Sequence, residues 1–214
     1  MVRLLIVRHG LSMTNKDKVY TGQRDVPLAP LGYRQAEAAC RYIMENYTVD
    51  AVYASDLSRA KDTVLPIAKA LSLPLQTRAG LRELSLGDWE GKTYEEVKVL
   101  YPETWELLKT ARHLARYEGG ESYAEGYARA KKAFLEIAGE NEGRTVAIAS
   151  HGGLIRLFLA DVLGLSVEQG AKAPLISNAS LSVVEIEGKE MRLVLTGEES
   201  YLAGLTEEVD GYLH

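Results

Sequence analysis

Short apolar runs alternate with long amphipathic stripes along this chain, and this alternation constrains the fold more than any other feature. Residues 4–7, 49–54 and 145–150 have the length of strands, and the first run is apolar throughout, as in strands buried on both faces. Residues 36–47 and 57–71 carry apolar side chains at helical spacing. Strands that alternate with helices of ten or more residues favour parallel βαβ units. We therefore predict an α/β fold, a three-layer α/β/α arrangement with a mostly parallel central sheet.

Local signals place further elements. Thr93 with Glu96 and Ser122 with Glu125 fit the capping box, so each pair predicts the start of a helix. Residues 154–163 favour a helix that is apolar nearly all round, and residues 181–186 and 191–195 predict a hairpin or a pair of late strands. No repeat or linker divides the sequence, so we expect residues 1–214 to form a single domain.

Composition limits the classes of partner. The net charge of -5 and the pI near 5.5 give no broad basic surface for nucleic acid or an anionic membrane, which favours a small-molecule partner and leaves a homodimer open. A single cysteine, Cys40, excludes an intrachain disulfide and a cysteine-rich metal site. The apolar segment at residues 4–7 is too short for a signal sequence or a membrane span, so the expected location is the cytoplasm.

Charged and imidazole side chains follow three of the predicted strands. Arg8 and His9 follow the first strand, Arg59 follows the second, and His151 follows the run at 145–150. Ligands bind beyond the carboxyl ends of parallel strands, so we expect these four side chains to converge. Two guanidiniums suit a phosphoryl group, and a helix that opens after Gly152-Gly153 adds backbone N–H donors. A neutral imidazole beside such cations can attack phosphorus.

Six short motifs of the sequence resemble those of the histidine phosphatase superfamily, the phosphoglycerate mutase-like proteins. The opening Arg8-His9-Gly10 is followed by the later motifs in the family's order over about residues 3–165: Ser55-Asp56-Leu57-Ser58-Arg59-Ala60, Leu81-Arg82-Glu83-Leu84, Gly87-Asp88-Trp89-Glu90-Gly91, Gly119-Gly120-Glu121-Ser122 and Ser150-His151-Gly152-Gly153. The Arg-His-Gly opening combined with a distant Ser-His-Gly-Gly is specific, whereas either motif alone is weak.

The resemblance implies a role for each matching residue. His9 corresponds to the phosphohistidine nucleophile and Glu83 to the proton donor, since a carboxyl beside a dianionic substrate can act as a general acid at neutral pH. The implied phosphate pocket and its border contain Arg8, Arg59, His151, Gly152, Asn15, Thr21, Gly22 and Gln23. The resemblance implies neither a metal nor a cofactor, and no two histidines have metal-ligand spacing on one helix.

Three functions stay open. The first is a hydrolase of a small phosphorylated metabolite, with α-ribazole phosphate a leading candidate because the closest likeness is to α-ribazole phosphatases and broad-specificity phosphatases. The second is a cofactor-dependent phosphoglycerate mutase, although the 68 residues from Glu83 to His151 are fewer than such mutases have. The third is a phosphate-binding protein without turnover, which the intact catalytic positions disfavour.

Two regions are assigned less sharply by the sequence. Arg112, His113 and Arg116 either line the substrate side of the pocket or form a solvated helix face, with Arg112 and Arg116 one helical turn apart. The acidic C-terminal region is expected to be a solvated or mobile end, and its carboxylates are Glu198, Glu199, Glu207, Glu208 and Asp210.

Overall fold

The computed structural model describes residues 1–16 and 19–205. Glu207, Glu208 and Asp210 of the acidic end, and the terminal His214, lie outside the described residues. The described residues form seven α-helices and six β-strands, in chain order β1 (Val2–Arg8), α1 (Met13–Lys16), α2 (Pro30–Asn46), β2 (Ala51–Ala54), α3 (Ser58–Leu71), β3 (Leu75–Thr77), α4 (Tyr94–Leu100), α5 (Pro102–Thr110), α6 (Tyr123–Glu140), β4 (Thr145–Ser150), α7 (Gly152–Val162), β5 (Leu181–Glu187) and β6 (Glu190–Glu198).

Six strands form one mixed sheet in the order β3-β2-β4-β1-β5-β6. The strands β3, β2, β4 and β1 pair in parallel. β5 pairs antiparallel with β1, and β6 pairs antiparallel with β5. β4 lies between β1 and β2, so the carboxyl ends of all three strands meet at one edge of the sheet. The predicted late strands are a hairpin that turns at Gly188, where φ is +59°.

Helices cover both faces of this sheet, which confirms the three-layer prediction. Successive side chains of a strand point to opposite faces. Accordingly, Leu4 and Ile6 pack with α6 and α7, whereas Leu5 and Val7 pack with α2 and α3. Cys40 belongs to the second of these two cores.

Helix starts follow the predicted signals. Thr93 accepts a hydrogen bond from the Glu96 amide and Ser122 accepts one from the Glu125 amide, so both capping boxes are present. Pro66 lies inside α3, and this helix nevertheless continues to Leu71. No helix among the described residues combines the length and the apolar character needed to span a bilayer.

Candidate active site

The ends of β1, β2 and β4 bring the four predicted side chains together. His9 follows β1, His151 follows β4, and their ring centroids are 5.1 Å apart. Arg59 occupies the second position of α3, directly after β2, and Arg8 is the last residue of β1. The expected convergence at one sheet edge is therefore present in the structure.

His9 is buried and held in one tautomer. Its Nδ1 lies 2.8 Å from the carbonyl oxygen of Gly10. A carbonyl can only accept, so we assign the proton to Nδ1 and the lone pair to Nε2. Burial lowers the pKa of His9 well below its ordinary value, and the positive charges of Arg59 and Arg8 lower it further. The ring is therefore neutral and nucleophilic at neutral pH.

His151 is fully buried, and neither of its ring nitrogens has a hydrogen-bond partner among the described residues. Such groups are rare, because an unsatisfied buried donor or acceptor costs about 1–3 kcal/mol. Burial lowers its pKa well below the ordinary value, and His9 and Arg59 lower it further. His151 thus adds a neutral, unpaired imidazole beside His9.

The two arginines are held by backbone carbonyls. Arg59 donates to the carbonyl oxygens of Gly22 and Arg24, both at 2.8 Å, and only 1% of its surface is exposed. Gly22 adopts φ +51°, a conformation that favours glycine. Arg8 donates through Nη1 to the Ile176 carbonyl at 2.5 Å, while its Nε has no partner among the described residues. Carbonyls orient these guanidiniums without neutralising their charge.

Glu83 caps the helix that follows β4. Its Oε2 accepts from the Gly153 amide at 3.0 Å, and its Oε1 accepts from the Leu154 amide at 3.0 Å and from the Leu84 amide at 2.9 Å. The expectation that the amides at this helix start face the phosphate was therefore wrong for Gly153 and Leu154, because a carboxylate already occupies them. Glu83 thereby lies directly beside the residues that follow His151.

The residues expected at the border of the pocket each make hydrogen bonds within the protein. Gln23 donates through Nε2 to the backbone carbonyl of Glu83 at 3.0 Å, and its backbone N–H donates to Glu90 Oε1 at 2.9 Å. Asn15 Oδ1 accepts from the amide and hydroxyl of Ser12 at 3.0 and 2.8 Å. Thr21 Oγ1 lies 2.6 Å from the hydroxyl of Thr14. Of the three, Gln23 is bonded to the residue that carries the proposed acid.

The sequence interpretation missed Arg129, a residue that fixes the loop of Glu83. It lies in α6, donates to the carbonyls of Arg82 and Glu83 at 2.7 and 3.0 Å, and pairs with Glu121. Glu121 belongs to the Gly119-Gly120-Glu121-Ser122 motif, but no local pattern singles out its arginine partner.

Asn178 was missed as well. Its Nδ2 donates to the carbonyl of His9 at 2.9 Å, 169 positions away in sequence, and so holds the segment that carries the nucleophile. Nothing near residue 178 in the sequence indicates this contact.

The region of Arg112 differs from its expected form. Residues Arg112–Leu114 form a short 3-10 helix that ends before Ala115, so Arg112 and Arg116 do not share one helix face. Arg116 is exposed and pairs with Glu125, and His113 is half-buried. Arg112 is half-buried, with its Cζ 6.0 Å from the centre of the Tyr123 ring. Of the two arginines, only Arg112 packs inward.

Within residues 1–16 and 19–205, no three side chains among His, Cys, Asp and Glu are grouped as a metal-ligand set would be.

Comparison with known proteins identifies the family. The model of the histidine phosphatase superfamily (branch 1) matches residues 4–199. Phosphoserine phosphatase 1 of Hydrogenobacter thermophilus is 32% identical over 187 residues, which cover 87% of this chain and 88% of that protein. The structure of Bacillus stearothermophilus YhfR superposes with a TM-score of 0.89 at 27% identity and covers 94% of this chain and 100% of its own.

A mycobacterial glucosyl-3-phosphoglycerate phosphatase in complex with VO3 superposes with a TM-score of 0.84 at 29% identity, covering 92% of this chain and 99% of its own. The phosphatases among these relatives identify this chain as a phosphatase. The chain belongs to the histidine phosphatase superfamily.

Proposed function

We propose that this protein hydrolyses small phosphomonoesters through a phosphohistidine on His9. The observation that carries the proposal is the neutral His9 ring. Its Nε2 lone pair lies in a site with two guanidiniums to which no carboxylate of residues 1–16 or 19–205 is bound. Attack by Nε2 forms an N–P bond as the bond from phosphorus to the ester oxygen breaks. Water then attacks phosphorus, the N–P bond breaks, and its electron pair returns to His9.

Arg8, Arg59 and His151 are proposed to hold the transferring phosphoryl oxygens. Positive charge that is fixed in advance stabilises the charge that builds on these oxygens, and a buried site strengthens the effect. The Arg8 Nε and both His151 nitrogens lack protein partners among the described residues, so they are available to a ligand. Gly152 leaves room for this contact, because a Cβ there would lie 3.0 Å from Arg8 Nε.

Glu83 is proposed to give its proton to the leaving oxygen and to take one from the attacking water. Its two carboxyl oxygens offer about four lone-pair positions, and the three backbone amides use three of them. The remaining position can carry the transferred proton. Gln23 and Arg129 both bind the Glu83 carbonyl and therefore restrict where this carboxyl lies.

The substrate is proposed to be a small phosphorylated metabolite. α-Ribazole phosphate stays a candidate from the sequence resemblance, while the names of the relatives add phosphoserine and glucosyl-3-phosphoglycerate as candidates. We also propose that turnover needs no metal, because two arginines and two histidines supply the donors and the positive charge. A mutase function predicts isomerisation of phosphoglycerate without net release of phosphate, and a binding protein predicts no turnover.

Trapping the intermediate tests this proposal. After an acid-free quench with a 32P-labelled substrate, we expect base-stable, acid-labile label on His9. The His9→Ala variant should fold, lack the label and be inactive. His113→Ala is the matched control, since it removes another histidine and should keep both label and turnover. Label on a residue other than His9 would refute the assigned nucleophile.

A further inference from the structure

The peptide unit between Gly10 and Leu11 is held at both ends by side chains that the proposed mechanism does not use. Its N–H, on Leu11, donates to Gln35 Oε1 at 2.8 Å, and its carbonyl oxygen, on Gly10, accepts from Asn178 Nδ2 at 3.3 Å. Gln35 lies in α2 and is only 5% exposed, whereas Asn178 lies in the segment between α7 and β5. The two side chains are far apart in sequence, so the fold alone brings them to this peptide.

The same Gly10 carbonyl determines which nitrogen of His9 is available for attack. His9 Nδ1 lies 2.8 Å from this oxygen. A carbonyl oxygen has two lone pairs, so it accepts from His9 and from Asn178 at the same time. A neutral imidazole carries its proton on either nitrogen, and the hydrogen bond at one nitrogen decides which. If this carbonyl turned away, the proton could move to Nε2, and the lone pair needed for attack would be lost.

The direction of this carbonyl is not fixed by its own residue, because Gly10 lacks the Cβ that restricts the backbone of other residues. Glycine is needed here for space, since a Cβ would lie 2.5 Å from the Gly32 carbonyl oxygen in the first turn of α2. Close contact with α2 therefore requires the residue type with the most permissive backbone. Hydrogen bonds to the peptide have to supply the restraint that a side chain would otherwise provide.

Asn178 is itself held against the segment that carries the nucleophile. Besides the Gly10 carbonyl, its Nδ2 binds the His9 carbonyl at 2.9 Å. Both of these acceptors are carbonyl oxygens, so the NH2 end of the Asn178 amide must face them. The next residue, Ala179, donates its backbone N–H to the Arg8 carbonyl at 3.0 Å. This bond fixes the backbone from which the Asn178 side chain extends.

We propose that Gln35 and Asn178 are positioning residues for the nucleophile: they hold the Gly10–Leu11 peptide so that its carbonyl keeps the His9 proton on Nδ1 and the lone pair on Nε2. This proposal rests on the proposed function and adds what selects the reactive nitrogen. When Nε2 attacks, its lone pair becomes the N–P bond and the ring gains positive charge, while the proton stays on Nδ1. A hydrogen bond from a charged donor is stronger than one from a neutral donor. The Gly10 carbonyl therefore stabilises the transition state more than the resting enzyme.

The tautomer of His9 can be measured directly. Long-range 1H–15N correlation spectra of the 15N-labelled protein distinguish a protonated from an unprotonated ring nitrogen. Signals that disappear in His9→Ala belong to His9. We expect Nδ1 of His9 to be protonated in the wild type at neutral pH. In Asn178→Ala and in Gln35→Met, we expect a measurable population of the form with the proton on Nε2.

Kinetics test whether the tautomer matters for the reaction. For p-nitrophenyl phosphate, kcat/KM reports formation of the phosphohistidine. We expect it to fall about tenfold in Asn178→Ala and in Gln35→Met, which corresponds to about 1.4 kcal/mol. Gln35→Glu keeps an oxygen acceptor for the Leu11 N–H, so it should retain the Nδ1–H tautomer and most of the activity. The matched control is Asn46→Ala, because Asn46 also donates to a backbone carbonyl but lies at the exposed end of α2. It should change neither the tautomer nor kcat/KM.

A purely structural role would lower the melting temperature and kcat/KM without altering the tautomer, and that result would overturn the proposal. A wild-type His9 with its proton on Nε2 would overturn it as well. If only one of the two variants keeps Nδ1 fully protonated, the proposal fails for the residue changed in that variant. The spectra do not depend on turnover. If they change as expected while the wild type forms no phosphohistidine, the proposed function fails and the positioning of His9 stands.

Discussion

A methyl group placed at residue 153 should disable Glu83 without altering the acid itself. Gly153 is the second residue of α7, and a Cβ built there would lie 2.5 Å from Glu83 Oε1. Ordinary contact begins at 3.4 Å, so in Gly153→Ala the carboxyl must retreat by about 0.9 Å. This movement also weakens its bonds to the amides of Gly153 and Leu154, both 3.0 Å long.

The size of the effect depends on the leaving group. A displacement of about 1 Å can cost about 100-fold in rate, and general acid catalysis contributes about 10²–10⁴-fold. An alkoxide needs the proton from Glu83, whereas p-nitrophenolate leaves with little help. Glu83 is also proposed to act in hydrolysis of the phosphohistidine, a step common to both substrates, so the comparison uses kcat/KM, which reports formation of the phosphohistidine. We therefore expect Gly153→Ala to lower kcat/KM for glycerol 3-phosphate about 100-fold, and kcat/KM for p-nitrophenyl phosphate less than about fivefold. Glu83→Gln should show the same contrast.

Steady-state kinetics on the two substrates, with thermal melting of each variant, form the assay. The control is Gly139→Ala in α6, where a Cβ meets no atom within 4 Å. It should keep both activities and raise the free energy of unfolding by up to about 1 kcal/mol, because alanine favours helix over glycine. Equal losses of kcat/KM on both substrates in Gly153→Ala would refute the assignment of Glu83 as the proton donor.

Three further predictions concern metals, pH and the fate of the phosphoryl group. Activity should survive EDTA, and a loss that Mg²⁺ or Zn²⁺ restores would contradict the proposed role of Arg8 and Arg59. The pKa values of His9 and His151 are depressed in the folded state, so the unfolded state binds more protons once the pH falls below about 6.5; stability is then lost by up to about 1.4 kcal/mol per pH unit for each histidine. Urea unfolding at pH 7.5 and 5.5 should show a smaller loss in His151→Ala, and an equal loss would contradict this cause. With 3-phosphoglycerate and catalytic 2,3-bisphosphoglycerate, free phosphate should exceed isomerised product, because the interval from Glu83 to His151 is short; rapid isomerisation with little free phosphate would favour the mutase.

Hydrophobic periodicity was sufficient to predict the main layers. The runs at 4–7, 49–54 and 145–150 correspond to β1, β2 and β4, and the apolar stripes correspond to α2 and α3. β3 was missed because it has three residues, none of them buried, so it carries no period that can be read. Its strand geometry depends on pairing with β2, which the local sequence does not encode.

Element order predicted the centre of the site, whereas its outer parts depend on contacts that have no local signal. His9, Arg59 and His151 each follow a strand, so parallel pairing alone brings them together. Arg129 and Asn178 act through backbone carbonyls that lie 46 and 169 positions away. A carbonyl is present at every residue, so such a bond leaves no mark on the residue type of its acceptor.

Hydrogen bonding to backbone carbonyls also explains why the arginines of this site keep their positive charge without a neutralising partner in the described part of the chain. Surface arginines such as Arg82 and Arg116 are paired with carboxylates, which leaves them little capacity for a further anion. Arg8 and Arg59 are instead oriented by carbonyl oxygens, which accept hydrogen bonds but carry no net charge. Orientation and neutralisation are thereby separated, because the backbone supplies the first and leaves the second to a ligand. A carboxylate beside either guanidinium would also hold it in place, but it would compete with the phosphoryl group that we propose to bind there. Backbone acceptors avoid this competition, and their use explains why no acidic residue in the sequence points to Arg8 or Arg59.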